Sequence, residues 1–251
     1  MKPSGNTILV TGGGSGIGRA LAHRWHDAGN RVIVAGRRRD ALEETAQGRG
    51  GIFVHVLDIS DADAIDTAAA ELVAAYPDLN VLVNNAGAYS AEKPTRKRDL
   101  GDAEQMIAIN LLGPIRMTNA LIDHLSGQKD AAIINVSSGT GFVPYPASPT
   151  YSATKAAIHS YTAAIRPLLE DRVEVIEIVP PQVQTELTPG QSQDANSMPL
   201  ADFADEVMGL LHANPTPAEV CVDRVREFRE AERTGRFDEL LAMMAEYTPR
   251  D

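Results

Sequence analysis

The stretch Thr7-Ile8-Leu9-Val10-Thr11-Gly12-Gly13-Gly14-Ser15-Gly16-Ile17-Gly18 decides how the rest of the chain is read. Residues 7–10 form a short, apolar, β-branched run, and residues 17–28 continue at helical spacing. In the loop between them, Gly12, Gly16 and Gly18 fit a tight turn, a close backbone approach to a pyrophosphate, and close helix–strand packing. Ser15 and Ile17 stand at the start of the helix, where free N–H groups and the positive dipole end attract phosphate. A glycine-rich string alone marks only a turn. Between a strand and a helix it marks a dinucleotide site.

Outward from this unit the same alternation repeats. Further short apolar runs fall at residues 31–35, 52–56, 81–83, 131–136, 173–179 and 220–222. They are apolar on both faces, as strands of a covered parallel sheet should be. Helical patterns rich in Ala and Leu occupy residues 17–28, 41–46, 62–75, 103–125 and 151–169. Gly29 closes the first of them, and Ser60 with Asp63 resembles a capping box before the third. The expectation is an α/β fold, a doubly wound (Rossmann-type) seven-stranded parallel sheet with helices on both faces. No repeat or internal boundary interrupts residues 1–251, so a single domain is expected.

The second strand runs into Val34-Ala35-Gly36-Arg37-Arg38-Arg39. Here an NAD-binding chain places a carboxylate for the ribose 2′-hydroxyl. A guanidinium instead grips a 2′-phosphate, so Arg37 points to NADP (NADPH) as cofactor. Asp58 has two readings, an acceptor for the adenine amino group or a structural turn residue ahead of Ser60. In Asn84-Asn85-Ala86-Gly87, the small residues Ala86 and Gly87 after Asn85 would let backbone run along the cofactor. Alone, that string is an ordinary Asx-Gly turn.

Tyr151 and Lys155 are four apart on a predicted helix and share a face. A phenol with a reference pKa of about 10 is a poor acid–base group at neutral pH. A neighbouring ammonium lowers it, which brings Tyr151 toward useful proton transfer. Ser138, at the end of the preceding strand, is placed to orient a substrate oxygen.

With these motifs in hand, residues 6 to about 187 resemble the short-chain dehydrogenase/reductase family. The loop matches its T-G-x-x-x-G-x-G spacing, and Asn84–Gly87 its N-N-A-G motif. Its catalytic asparagine falls on Asn110, and its serine on Ser138 rather than Ser137. Tyr151 and Lys155 complete the tetrad. Its nicotinamide segment P-G-x-x-x-T appears as Pro180 to Thr185, with Pro181 replacing the glycine. The resemblance implies that Tyr151 protonates the developing alkoxide while Ser138 bonds the same oxygen. Lys155 would hold the nicotinamide ribose, Asn110 a water, and Thr185 the carboxamide. It further implies a small-molecule carbonyl/alcohol substrate and a homodimer or homotetramer. An epimerase or dehydratase of this fold would normally need a larger C-terminal substrate domain. A non-catalytic NADP-binding regulator would be expected to lose tetrad members.

The remaining sequence excludes several classes. With 23 basic and 34 acidic residues and a net charge of −11, binding to nucleic acid or anionic membranes is not expected. No apolar run approaches membrane-spanning length and no signal-peptide core precedes the first strand, so a cytoplasmic protein is expected. The single cysteine, Cys221, excludes an internal disulfide and reads as a buried strand residue. Of six histidines only His23 and His26 lie at helical contact spacing, and no metal is expected.

Two irregular segments, residues 142–150 and 180–199, follow strands and are candidate substrate walls, with Tyr89, Phe142 and Tyr145 as apolar lining or packing. The tail, residues 225–247, resembles a subgroup named after the oxidoreductase of the teichoic-acid D-alanylation operon. Phe237, Leu240, Leu241, Met244 and Tyr247 form one stripe on a helix. Such a stripe packs on its own domain, closes over the cleft, or meets a second subunit. A subunit interface is the expectation.

Overall fold

Register in the sheet follows from the sequence runs. A computed structural model describes residues 1–247. Its strands are β1 (Thr7–Thr11), β2 (Arg31–Gly36), β3 (Ile52–Val56), β4 (Leu79–Asn84), β5 (Ala132–Val136), β6 (Glu174–Val179) and β7 (Glu219–Cys221). They form one parallel sheet in the order β3-β2-β1-β4-β5-β6-β7. The order reverses between β1 and β4. That switch point opens a crevice at the carboxyl ends of the strands, where ligands bind in this architecture.

Helices α1 (Gly16–Asp27), α2 (Arg39–Ala46), α3 (Ala62–Ala75), α4 (Gly101–Ile107), α5 (Gly113–Ser126), α6 (Pro149–Leu169) and α7 (Leu200–Leu211) cover both faces. One core packs Leu21 and Trp25 of α1 and Phe203 and Val207 of α7 on Ile8, Val34 and Ile134. The other packs Ile65 and Leu72 of α3 and Met117 and Leu121 of α5 on Leu9, Leu82 and Ile133. The seven-stranded, two-faced fold is the one expected.

Three details differ from the sequence reading. Asp61, not Ser60, caps α3, its carboxylate accepting from the N–H groups of Asp63 and Ala64. Ser60 instead donates from N–H and hydroxyl to Asp58. The pattern at 103–125 is not one helix, because a π-helical turn, Ala108–Leu112, separates α4 from α5. Pro114 has no N–H for the carbonyl of Asn110, so regular helix cannot run through this point. Helix α7 was not anticipated, although Phe203, Val207 and Leu211 are spaced by four and fully buried.

The tail forms a short helix, α8 (Arg226–Arg229), and a longer one, α9 (Phe237–Glu246). Leu240 is buried in a cluster with Val143 and Ala231, and Phe237, Leu241 and Met244 pack around it. Leu240 therefore packs on its own chain, over the 142–150 segment, while Phe237, Leu241 and Met244 stay partly exposed beside it. Tyr247 departs from the stripe at 69% exposed, and its carbonyl accepts from the Tyr145 hydroxyl at 3.3 Å. Cys221 is half-buried at the end of β7, and burial pushes its thiol up to about 11. No helix among the described residues is long and apolar enough to cross a membrane.

Candidate active site

A cleft of about 600 Å³ follows the switch point. Its first wall is the loop from β1 to α1. Gly12 has φ +69°, and a Cβ there would lie 2.7 Å from the Cα of Ala86. A Cβ on Gly18 would lie 2.4 Å from the Gly12 carbonyl and 2.5 Å from Asn85 Nδ2. Both positions demand glycine, and the loop lies flat under the cleft. Thr11 stitches it to the turn after β4, its hydroxyl accepting from the N–H groups of Asn85 at 3.1 Å and Ala86 at 3.2 Å. Asn85 Nδ2 donates to the Thr11 carbonyl at 2.9 Å. Ser15 is exposed at the start of α1, with no hydrogen bond from its side chain to the helix amides. Gly12, Ser15, Gly16, Ile17, Gly18, Asn85, Ala86 and Gly87 all line the cleft.

At the far rim, Arg37 is exposed, with Arg38 beside it, and both line the cleft. Asp58 lines it too, while its Oδ1 accepts from Ser60 N at 2.9 Å and Ser60 Oγ at 2.7 Å. Burial disfavours the ionised carboxyl, but the Ser60 hydrogen bonds and the Arg37 charge outweigh it, so the Asp58 pKa falls. The structural-turn reading of Asp58 is thus realised, at a position still facing the cleft. A glycine cradle that no Cβ would fit, a helix start with uncapped amides, and a guanidinium at the rim fit a dinucleotide with an additional phosphate.

At the other end, Ser138, Tyr151 and Lys155 line the cleft, while Thr185 lines it beside the glycine loop, 3.4 Å from where a Cβ on Gly16 would lie. Tyr151 is 9% exposed, and the Ser138 hydroxyl, which accepts from Thr140 N at 3.2 Å and Thr140 Oγ1 at 3.1 Å, lines the same end of the cleft. Burial pushes the phenol up to about 12, partly opposed by Ser138 and reinforced by Tyr89. Lys155 Nζ lies 5.6 Å from the Tyr151 ring centroid and donates to the Val136 carbonyl at 2.9 Å. The sequence expectation of a lowered phenol pKa is therefore not met, since burial dominates and the ammonium faces a backbone carbonyl. Burial in turn pushes Lys155 down to about 8, against the charge of Glu177.

Asn110 does not line the cleft. It sits on the π turn, 2% exposed, accepting from Ala88 N at 2.8 Å and donating to Ala88 O at 2.9 Å and Thr154 Oγ1 at 3.2 Å. It thereby ties the end of the Asn84–Gly87 turn to α6, one residue before Lys155.

Of the other contributions, Tyr89 and the loop after β6 were candidates from the sequence, and Glu92 was not. Tyr89 stands edge-on to Tyr151, with ring centroids 5.4 Å apart. The buried Glu92 accepts from Thr150 N at 2.6 Å and Thr150 Oγ1 at 2.8 Å, fixing the start of α6, and pairs with Arg98. These partners are 58 residues apart, which no local pattern reveals. The loop after β6 lines the cleft with Pro181, Val183, Thr185, Leu187 and Gln191. Its path survives Pro181 because Gln184 N donates to Met198 O and Met198 N to Gln182 O. Phe142 is not among the lining residues, since its ring packs edge-on against His159 and under the Arg229 guanidinium. Tyr145 does not line the cleft either.

Histidine grouping also differs from expectation. His159, Glu177 and Glu219 bring potential ligand atoms within 4.8 Å of one another. Arg229 already engages both oxygens of Glu219, at 2.5 and 3.0 Å, and His159 Nδ1 bonds one oxygen of Glu177 at 2.8 Å.

Residues 6–196 match the profile of the short chain dehydrogenase family. The chain is 35% identical to the Bacillus subtilis protein named uncharacterized oxidoreductase DltE, over 97% of this chain and 98% of that one. It is 36% identical to sulfoacetaldehyde reductase 2 of Chromohalobacter salexigens, over 87% and 92%. A short chain dehydrogenase from Burkholderia cenocepacia, solved in complex with NADP, superposes with a TM-score of 0.84 at 26% identity, covering 99% and 100%. The chain belongs to the short-chain dehydrogenase family of oxidoreductases.

Proposed function

We propose that the chain works as one NADP-dependent catalytic domain that interconverts a carbonyl and an alcohol, with Tyr151 as general acid and base. The observation that carries this reading is the buried Tyr151 phenol, with Lys155 Nζ 5.6 Å from its ring and Ser138 lining the same cleft, whose other end is the glycine cradle. Gly12 to Gly18, Arg37, Asp58, Asn85 to Gly87 and Thr185 would hold the dinucleotide, which when bound supplies or accepts the hydride.

Held up to about 12, Tyr151 keeps its proton through neutral pH and is ready to donate it to an oxygen gaining negative charge. Ser138 hydrogen-bonds that same oxygen. The phenolate left behind is stabilised by the Lys155 ammonium, so Lys155 acts after proton transfer rather than by lowering the resting phenol. Asn110 holds the Ala88 turn and α6 together, keeping Lys155 in register. Oxidation needs the Tyr151 proton removed first, so alcohol oxidation should rise toward alkaline pH while carbonyl reduction is sustained at neutral pH.

Screening NADPH consumption against small aldehydes, cyclic and aromatic ketones, β-ketoesters and keto-sugars identifies the substrate. The chain's relative named sulfoacetaldehyde reductase puts small anionic aldehydes first. On the best substrate, Tyr151→Phe is expected to abolish turnover and leave NADPH affinity near normal. Turnover above a few per cent of the parent defeats the assignment. Ser138→Ala should cost about 2.7–4 kcal/mol of transition-state stabilisation.

A further inference from the structure

A row of polar side chains crosses the sheet in register: Asn84 on β4, Asn135 on β5, Glu177 on β6 and Glu219 on β7. Each meets a partner from beyond the sheet or from the next strand. Asn84 Nδ2 donates to Asn135 Oδ1, and Asn135 Nδ2 to Thr162 of α6. Glu219 takes Arg229 of α8. Glu177 Oε2 accepts from His159 Nδ1 at 2.8 Å. Glu177 is fully buried, and its second oxygen, Oε1, has no hydrogen-bond partner. A buried carboxylate oxygen without a donor is expensive unless a nearby cation compensates it.

Tyr151, Lys155 and His159 are spaced by four along α6, so the cation sits on the same face, one turn before the histidine that fixes Glu177. Lys155 is 5% exposed. Among the described residues its ammonium donates to Val136 O and to no carboxylate. Its charge must therefore be balanced through space. We propose that Glu177 is a positioning residue for Lys155: its carboxylate, anchored by His159, is the buried counter-charge that keeps the lysine an ammonium.

This rests on the reading of Lys155 as part of the catalytic machinery. Burial has already pushed Lys155 down to about 8, and Glu177 is the charge opposing that fall. Without it, the amine would lose its proton nearer neutral pH and the Tyr151 phenolate would lose its support. The other charged and titratable groups facing Glu177 are His159 on α6, Glu219 and Cys221 on β7, and Arg229 on α8, with Arg166 of α6 reaching Glu219.

The test is a heteronuclear NMR titration of 13C,15N-lysine-labelled protein. The chain has five lysines, and the Lys155 signal is assigned by its loss in Lys155→Arg. Glu177→Gln should lower the Lys155 midpoint by about one pH unit or more, and Glu177→Asp should hold it close to the parent. Where the amide is not tolerated in the core, Glu177→Met removes the same charge without a new polar group and should give the same fall. In parallel, the alkaline limb of kcat/KM for NADPH-dependent reduction should move down by the same amount, with the NADPH Kd unchanged. An unmoved Lys155 midpoint overturns the proposal. So does an activity loss uniform across pH with a lowered Tm, which marks a structural role. The titration needs no turnover, so it stays informative even where Tyr151→Phe defeats the functional reading.

Discussion

The two ends of this sheet are built by different means. Around β1, α1 and the turn after β4, geometry is set by backbone and by missing atoms: Gly12 and Gly18 leave room, and Thr11 laces the backbones together. Around β6, β7 and the tail, geometry is set by charged side chains: Glu177 with His159, Glu219 with Arg229, and Arg229 over Phe142. A backbone-built site has no slack for an added carbon. A side-chain-built one can give up a partner and relax. The consequences of substitution should therefore fall unequally.

The largest effect is expected at Gly18→Ala. The new Cβ meets the Gly12 carbonyl at 2.4 Å, and neither backbone is free to withdraw. The NADPH Kd should rise by at least about 100-fold, some 2.7 kcal/mol, by isothermal titration. An unchanged Kd would show that α1 can slide and that this end is less rigid than drawn.

Leu240→Ala sharpens the contrast from the other side. Leu240 is 2% exposed over Val143 and Ala231. Its truncation should lower stability by about 2–3 kcal/mol in denaturant melts, while leaving the NADPH Kd within about two-fold. A parallel loss of affinity would mean that α9 braces the cofactor site and that the two ends are not separate.

Arg37→Ala probes a place where the dinucleotide end relies on a charged side chain. Arg37 is exposed, so a bond from it to a 2′-phosphate would be partly screened. The NADPH Kd should rise roughly ten- to a hundred-fold, about 1.4–2.8 kcal/mol, and NADH affinity should change little. Equal losses for both cofactors would make Arg37 structural and remove the basis for NADP preference.

The same contrast explains what the sequence made legible. Residues 11–18 and 84–87 are contiguous, and their glycines and small residues carry the geometric requirement in the string itself. The seven strands announce themselves by short apolar runs for the same reason. The cluster at the other end is assembled from positions 142, 159, 177, 219 and 229, and no local spacing links them. The reading of the tail stripe as an interface found the right residues. It could not name their contacts within the chain, because Val143 and Ala231 are paired with α9 by the fold and not by pattern. The pKa of Tyr151 failed for a related reason: helical spacing puts Lys155 on the right face, but burial of both groups decides the sign.

The smallest effect should come from the His159–Glu177 pair, and its sign follows from burial and charge. The Glu177 hydrogen bond raises the His159 pKa, burial opposes it, and the charges of Glu177 and Glu219 reinforce it against Arg229. A histidine raised in the folded state contributes stability that is fully present below its unfolded value, about 6.5, and is lost as pH climbs through the higher folded value. Lys155, lowered to about 8, acts with the opposite sign above that pH, because the unfolded chain then binds the extra proton. Lys155 already opposes His159 in the upper part of the window from about pH 6.5 to 8, so the difference between the parent and a His159 variant is what reports His159. His159 remains partly open to solvent, with its side chain 25% exposed, so the effect should stay within about 1 kcal/mol. His159→Gln can still donate to Glu177 but cannot titrate, and calorimetry from pH 6.5 to 8 should show its stability falling less with pH than the parent's. A variant profile parallel to the parent's would mean that another group titrates there, and the charged end would then owe its pH response to something other than this pair.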